Sequence, residues 1–216
     1  TVMPDTSPYS IEVKNLSCFR NERLLFSEIN FSVNSGEILL IEGLNGSGKT
    51  TLLKMLCGLR GYDEGTINFN QQNITQLDSD YTDKLSYLGH KNGNKAALTV
   101  KENLRLSSNL NDNIDSDFNA IIKQVGLAKE SDQLSAQLSA GQNRRLAIAR
   151  LIISQHPLWI LDEPFTALDS KGITMLKELM INHLQQGGLV ILTSHHDFEL
   201  APFTVRRLQL SKQETV

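Results

Sequence analysis

Three short stretches of this chain combine residue types at spacings that do chemistry. Gly43-Leu44-Asn45-Gly46-Ser47-Gly48-Lys49-Thr50 has the form G-x-x-x-x-G-K-[ST]. Its glycines let the backbone curl so that successive N–H groups face inward, toward phosphate oxygens. A following helix would aim its positive end at the same anion. Lys49 supplies a point charge for the β- and γ-phosphates, and the Thr50 hydroxyl, followed by Thr51, can ligate Mg²⁺. The second stretch, Leu158-Trp159-Ile160-Leu161-Asp162-Glu163, is an apolar run ending in two acids. Asp162 at the strand end can hold a Mg²⁺ shell, and Glu163 can act as general base toward a water. Two acids after an apolar run also describe an ordinary solvated strand end.

The third stretch is Leu138-Ser139-Ala140-Gly141-Gln142, which opens a segment where Arg144, Arg145 and Arg150 alternate with Leu146, Ile148 and Leu151. Ser139 and the N–H groups of Ala140 and Gly141 form a second anion site at a helix start. By itself the segment reads more simply as a Ser-capped helix without a ligand. One phosphate cradle and one further anion site suggest two copies facing head to tail, each completing the other's nucleotide.

These stretches need elements to carry them. Alternation of apolar and polar residues predicts strands over 11–16 and 24–33, and a short apolar strand over 37–42 runs into the glycine-rich loop. Leu52, Leu53, Leu56 and Leu59 predict a helix over 50–59. Strands follow at 66–69 and 84–88. Thr99 to Glu102 forms a capping box, 109–117 is a polar loop, and 118–125 is a second helix of a helical lobe spanning about 91–155. The acids Asp112, Asp115 and Asp117 are expected to be solvated. The uninterrupted apolar runs 158–161 and 189–193 suit central parallel strands, with an amphipathic helix over 171–186 between them. Residues 1–10 and 209–216 read as tails around one domain over 11–208.

In order and spacing, the motifs resemble those of ATP-binding-cassette (ABC) ATPases. The correspondence covers 43–50, 138–142, 158–163, the Ala167-Leu168-Asp169 segment and His195. The resemblance implies an α/β P-loop NTPase with a mixed-sheet core, an inserted α-helical subdomain and an N-terminal antiparallel β region. It implies hydrolysis of ATP with Mg²⁺ in a homodimer that sandwiches two nucleotides. His195 would contact the γ-phosphate, Asp169 would link the two sites, and Phe19 would lie against adenine. Phe19 reads equally well as a core residue, since Phe26 and Phe31 compete for the role.

Two departures from the family pattern stand out. Ala140 replaces the first glycine of a Gly-Gly pair, which keeps the N–H donor unless the position needs positive φ. His90 stands where a glutamine is expected, as a site residue toward the metal or as a plain surface residue. Together with Gly89-His90, the segments QLSAGQNRR (137–145), WILDEPFTAL (159–168) and GLVILTSH (188–195) resemble the ATP-binding subunits of bacterial cytochrome c maturation systems, the haem exporter group. That resemblance implies a peripheral subunit on the cytoplasmic face of the inner membrane. It would couple hydrolysis to haem export, or to release of a haem-loaded chaperone, through integral membrane partners.

Composition narrows the alternatives. Hydrophobic residues make up 40% and charged residues 21% of 216, enough to bury a core. A formal net charge of −3 gives no pull toward nucleic acid, and a cassette acting on ribosomes or DNA is the competing reading. The two cysteines, Cys18 and Cys57, make no CxxC pair and suit a reducing compartment. No apolar run reaches the roughly 18 residues of a membrane span, and the N-terminus lacks a signal-peptide pattern. Haem is not an expected ligand of the chain itself. There is no Cys-x-x-Cys-His, His195 and His196 would face opposite sides of a strand end, and His156 and His183 stand alone as solvated residues. A nucleotide-gated scaffold without turnover is disfavoured by Glu163 and His195.

Overall fold

The computed structural model describes residues 8–20, 23–77, 79–110, 117–195 and 197–211. Asp112, Asp115, His196 and the outer parts of both tails lie outside these residues. The elements run β1 (Ser10–Arg20), β2 (Arg23–Asn34), β3 (Ile38–Gly43), α1 (Lys49–Leu56), β4 (Glu64–Phe69), β5 (Gln72–Asn73), α2 (Ser79–Thr82), β6 (Leu85–Leu88), α3 (Val100–Leu110), α4 (Phe118–Gln124), α5 (Ala140–Ser154), β7 (Leu158–Leu161), α6 (Ser170–Gln185), β8 (Leu189–Thr193) and β9 (Val205–Leu210).

Parallel and antiparallel pairing are sorted into two sheets. One has the order β2-β1-β4-β5 and is antiparallel; the other has the order β6-β7-β8-β3-β9 and is parallel. Strand alternation explains how the parallel sheet supports two cores. Ile38, Leu40, Trp159, Leu161, Val190 and Leu192 join the cluster on the face covered by α3, α4, α5 and α6. Their neighbours Leu39, Ile41, Leu158, Ile160, Leu189 and Ile191 join the cluster on the other face, with α1 and the antiparallel sheet. Strands buried on both faces must read as continuous apolar runs, as 158–161 and 189–193 do. The buried side chains of the helical stretch, among them Leu104, Ile122, Val125 and Leu146, belong to the first of these clusters and not to a core of their own.

Local chemistry sets several boundaries. Helix α1 ends at Leu56, three residues before the apolar pattern does, because Gly58 adopts a left-handed conformation; Leu59 is exposed. Asp169 caps α6 by accepting the Gly172 N–H, and Asp117 caps α4. Strand β9 was not foreseen. Its alternation is broken by Arg206 and Arg207, which pair with Glu37 and with Glu42 and Asp197 at a sheet edge.

Two histidines expected in solvent are built into the fold. His156 Nδ1 lies 2.7 Å from the Leu85 carbonyl and 3.1 Å from Ser86 Oγ. His183 stacks on Trp159, with ring centroids 4.0 Å apart and planes 10° from parallel, and its Nε2 lies 3.0 Å from the Pro157 carbonyl. Helical spacing brings His183 over the β7–β8 end, where Trp159 shields it from water. Burial pulls its pKa from 6.5 to about 4, against the opposing effect of the Leu189 and Pro157 backbone hydrogen bonds. The unfolded chain therefore binds the proton first. Stability present above pH 6.5 is lost as pH falls toward about 4, by about 3 kcal/mol for this group. Urea titrations across that range, followed by the single tryptophan, are expected to show this loss in the wild type and a smaller one in His183→Gln. Equal pH dependence in both would remove His183 as the source.

Candidate active site

All strands of the parallel sheet point the same way, so their carboxyl ends gather along one edge. The glycine-rich loop leaves β3 there, Gly89 and His90 follow β6, Asp162 and Glu163 follow β7, and Ser194 and His195 follow β8. The registers Leu161↔Leu192 and Ile41↔Thr193 place Thr193 beside Asp162.

The loop is shaped by close contacts. A Cβ on Gly48 (φ +99°) would lie 2.9 Å from Leu25 and Phe26, and one on Gly43 would lie 2.6 Å from Ser47 Oγ and the Leu210 carbonyl. Lys49 is largely buried, and its Nζ donates to the carbonyls of Gly43 at 2.7 Å and Leu44 at 3.3 Å, which holds the ammonium across the loop. Leu44, by contrast, is exposed.

Asp162 is 2% exposed, and both its carboxylate oxygens are used. Thr50 Oγ1 donates to Oδ2 at 2.8 Å, and Thr193 Oγ1 donates to Oδ1 at 2.8 Å. The Thr193 hydroxyl also accepts the Glu163 N–H at 2.9 Å. Glu163 itself is left-handed, with φ 49°. For a non-glycine residue this conformation costs roughly 1–2 kcal/mol and needs bracing. His195 Nε2 lies 3.1 Å from Glu163 Oε1, a close approach without hydrogen-bond alignment.

A cavity of about 380 Å³ opens on these groups. Asn45, Gly46, Gly48, Lys49, Thr50 and Thr51 form its floor. His90, Asp162, Glu163, Thr166 and His195 also line it, as do Arg20 and Leu25. A second depression of about 290 Å³ lies among Lys101, Arg105 and Phe118, away from all of this chemistry. His90 is exposed at the cavity rim. Phe19 does not line the cavity; it is 45% exposed at the end of β1, while its neighbour Arg20 does line it. Successive strand residues face opposite sides, so only one of the two can.

Ser139, Ala140, Gly141 and Gln142 also lie outside this cavity. Ser139 caps α5 in a capping box: its Oγ accepts the Gln142 N–H at 3.2 Å, and Gln142 Oε1 accepts the Ser139 N–H at 2.9 Å. Ala140 begins the helix, so its conformation suits a side chain. A Cβ on Gly141 would lie 2.8 Å from the Ala167 carbonyl, so this helix tip rests on the segment that follows Glu163. Asp169 is engaged within its own chain, accepting from Arg145 Nη2 at 2.6 Å and from the Gly172 N–H at 2.9 Å.

Sequence reasoning passed over Thr193, Arg20 and Arg144. A threonine closing an apolar central strand was the available signal for the first. No local pattern marked the other two.

A fold with a phosphate-loop motif, paired acids and a histidine at one sheet edge defines a P-loop ATPase. The family model described as ABC transporter matches residues 26–166. The chain belongs to the ABC transporter family, as an ATP-binding ATPase subunit. It is 42% identical to the cytochrome c biogenesis ATP-binding export protein CcmA of Aliivibrio fischeri, over 94% of this chain and 100% of that one. It is 46% identical to the protein of the same name from Nitrosomonas europaea, over 95% and 99%. With that of Vibrio cholerae it shares 45% identity over 93% and 98%. Among solved structures, an ATP-binding subunit of an ABC transporter superposes with TM-score 0.77 at 27% identity, over 86% of this chain and 79% of that one. A putative ABC transporter ATP-binding protein from Pyrococcus furiosus shares the fold, with TM-score 0.80 at 23% identity over 93% and 97%.

Thr193→Val keeps the volume and strands two buried partners, the Asp162 carboxylate and the Glu163 N–H. Urea unfolding is expected to show a loss of roughly 2–4 kcal/mol, with Thr193→Ser close to wild type. Wild-type stability in the valine variant would mean that the hydroxyl holds neither group.

Proposed function

We propose that this chain is the ATP-hydrolysing motor of a bacterial inner-membrane complex for cytochrome c biogenesis, coupling hydrolysis to haem export or to release of a haem-loaded chaperone. The observation that carries the hydrolytic part is the convergence of Thr50, Asp162, Glu163 and His195 over the loop that holds Lys49. The cytochrome c part is supported by the names of relatives matched over nearly their whole length. Among the described residues no helix is long and apolar enough to cross a membrane, which suits a peripheral subunit held by integral membrane partners.

The triphosphate lies along the N–H groups of residues 45–50, with Lys49 turned toward the β- and γ-phosphates. Thr50 Oγ1 and Asp162 Oδ2 are hard oxygen donors 2.8 Å apart and fit Mg²⁺. Among the described residues no group of three His, Cys, Asp or Glu side chains is arranged to hold a metal ion without other ligands. Bound there, Mg²⁺ would neutralise charge on the phosphate oxygens. His90, exposed at the cavity rim, would be a further candidate group toward that ion. Glu163 takes a proton from the attacking water as the water oxygen bonds to the γ-phosphorus and the bond to the β–γ bridging oxygen breaks, leaving ADP and phosphate. His195, beside Glu163, contacts the γ-phosphate.

Ser139, Ala140, Gly141 and Gln142 close the site of a second copy in a homodimer sandwiching two ATP, and Asp169 lies between the two sites. On the base side, contact falls to Arg20 and Leu25 and not to Phe19; a guanidinium can stack on an adenine face.

In the assembled complex, Glu163→Gln is expected to keep ATP binding, lower turnover at least roughly 100-fold and accumulate the ATP-bound dimer. Lys49→Ala is expected to lose nucleotide affinity. Normal turnover in the first variant, or full affinity in the second, would refute the assigned roles. Arg20→Ala is expected to raise the KM for ATP several-fold while Phe19→Ala leaves it within twofold; the reverse pattern would return the base contact to Phe19. Spectrophotometric titration of the chain with haem is expected to show no stoichiometric binding, and purification from membranes should bring cytochrome c maturation components with it. If it brings none, the haem assignment falls while the ATPase stands.

A further inference from the structure

Arg144 is the most heavily bonded side chain near the site, yet it touches neither the cavity nor an acid side chain. It is 3% exposed, in the second turn of α5. Its Nη2 donates to the carbonyls of Asp162 at 3.0 Å and Glu163 at 2.8 Å, and its Nε donates to the Pro164 carbonyl at 3.2 Å. Its Nη1 donates to the Gly89 carbonyl at 2.9 Å and to Asn92 Oδ1 at 3.0 Å. Burial pulls its pKa down, opposed by the charges of Asp162 and Glu163. Packing alone does not call for a cation here, because a buried guanidinium bonded to neutral oxygens carries a desolvation cost that an apolar side chain of similar size would avoid.

What the guanidinium does uniquely is grip both peptide planes that flank the Glu163 Cα. The Asp162 carbonyl belongs to the plane before it, and the Glu163 carbonyl belongs to the plane after it. With the Glu163 N–H held by Thr193, the left-handed turn is fixed, and so is the direction in which the carboxylate leaves the backbone. The other edge of the same fork holds the loop on either side of His90. Arg144 lies five residues from Ser139 on one continuous helix, so movement of that helix tip is transmitted to the backbone beneath Glu163.

We propose that Arg144 is a positioning residue for hydrolysis, aiming the Glu163 carboxylate and tying its aim to the placement of α5. The proposal rests on Glu163 as the base. In the assembled complex, Arg144→Gln is expected to lower kcat roughly 10- to 100-fold with KM for ATP near wild type, alongside a lower melting temperature because buried carbonyls lose their donor. Arg144→Lys, whose single ammonium cannot span both planes, is expected to restore little of this. The assignment is overturned if kcat stays within twofold in the glutamine variant, if kcat falls only together with a comparable loss of ATP affinity, or if lysine restores full turnover. Should the glutamine variant not accumulate, the lysine variant decides by its own kcat at unchanged KM; if neither accumulates, Arg144 serves folding and the proposal fails. Glu163→Gln run alongside separates the two levels. Normal turnover there removes the base itself, whereas an inactive Glu163→Gln beside a normal Arg144→Gln removes only the positioning role.

Discussion

The site depends on one buried carboxylate. Asp162 sits at the end of a central strand, and its two oxygens accept hydroxyls from Thr50, at the start of α1, and Thr193, at the end of the neighbouring strand. A charge almost wholly removed from water is tolerable only when its lone pairs are taken, so these three residues stand or fall together. Through Thr50 the carboxylate aligns the phosphate loop with the sheet. Through Thr193 it aligns the backbone of Glu163. The hydrophobic cores on the two faces of the sheet supply the stability, and this small polar knot uses it to hold geometry.

Around that knot the protein keeps a strained turn. Glu163 is left-handed, and the residues bracing it come from different elements: Thr193 from β8 and Arg144 from α5. Spreading the bracing over separate elements makes the carboxylate direction sensitive to how those elements sit against each other.

Much of this was legible in one dimension. The phosphate-loop motif, the paired acids and the helix cap at Ser139 are local patterns, legible from residues adjacent in the chain. The continuous apolar runs of β7 and β8 announced strands buried on both faces. The misreadings share a different cause. His183 looked solvated because its partner Trp159 lies 24 positions away in the chain and meets it only across the β7–α6 packing. Phe19, set against adenine by family resemblance with a core role as the equal alternative, is absent from the cavity lining where Arg20 stands; the face a strand residue presents is set by register, and the register of β1 shifts between Cys18 and Phe19. Strand β9 escaped because its charged residues belong to a sheet edge, where polar side chains are normal.

The sequence by itself determined the chemistry available: which residues could grip phosphate, which can take a proton, and which strands must be central, because each of these rests on local spacing or on hydrophobic periodicity. The tertiary structure alone decided which distant groups meet. It put Thr193 against Asp162, Arg144 under Glu163, Arg20 in the cavity wall in place of Phe19, and Ser139 outside the cavity of its own chain. Those outcomes depend on strand register and helix docking, which are settled by packing over the whole core and leave no mark in any short stretch of residues.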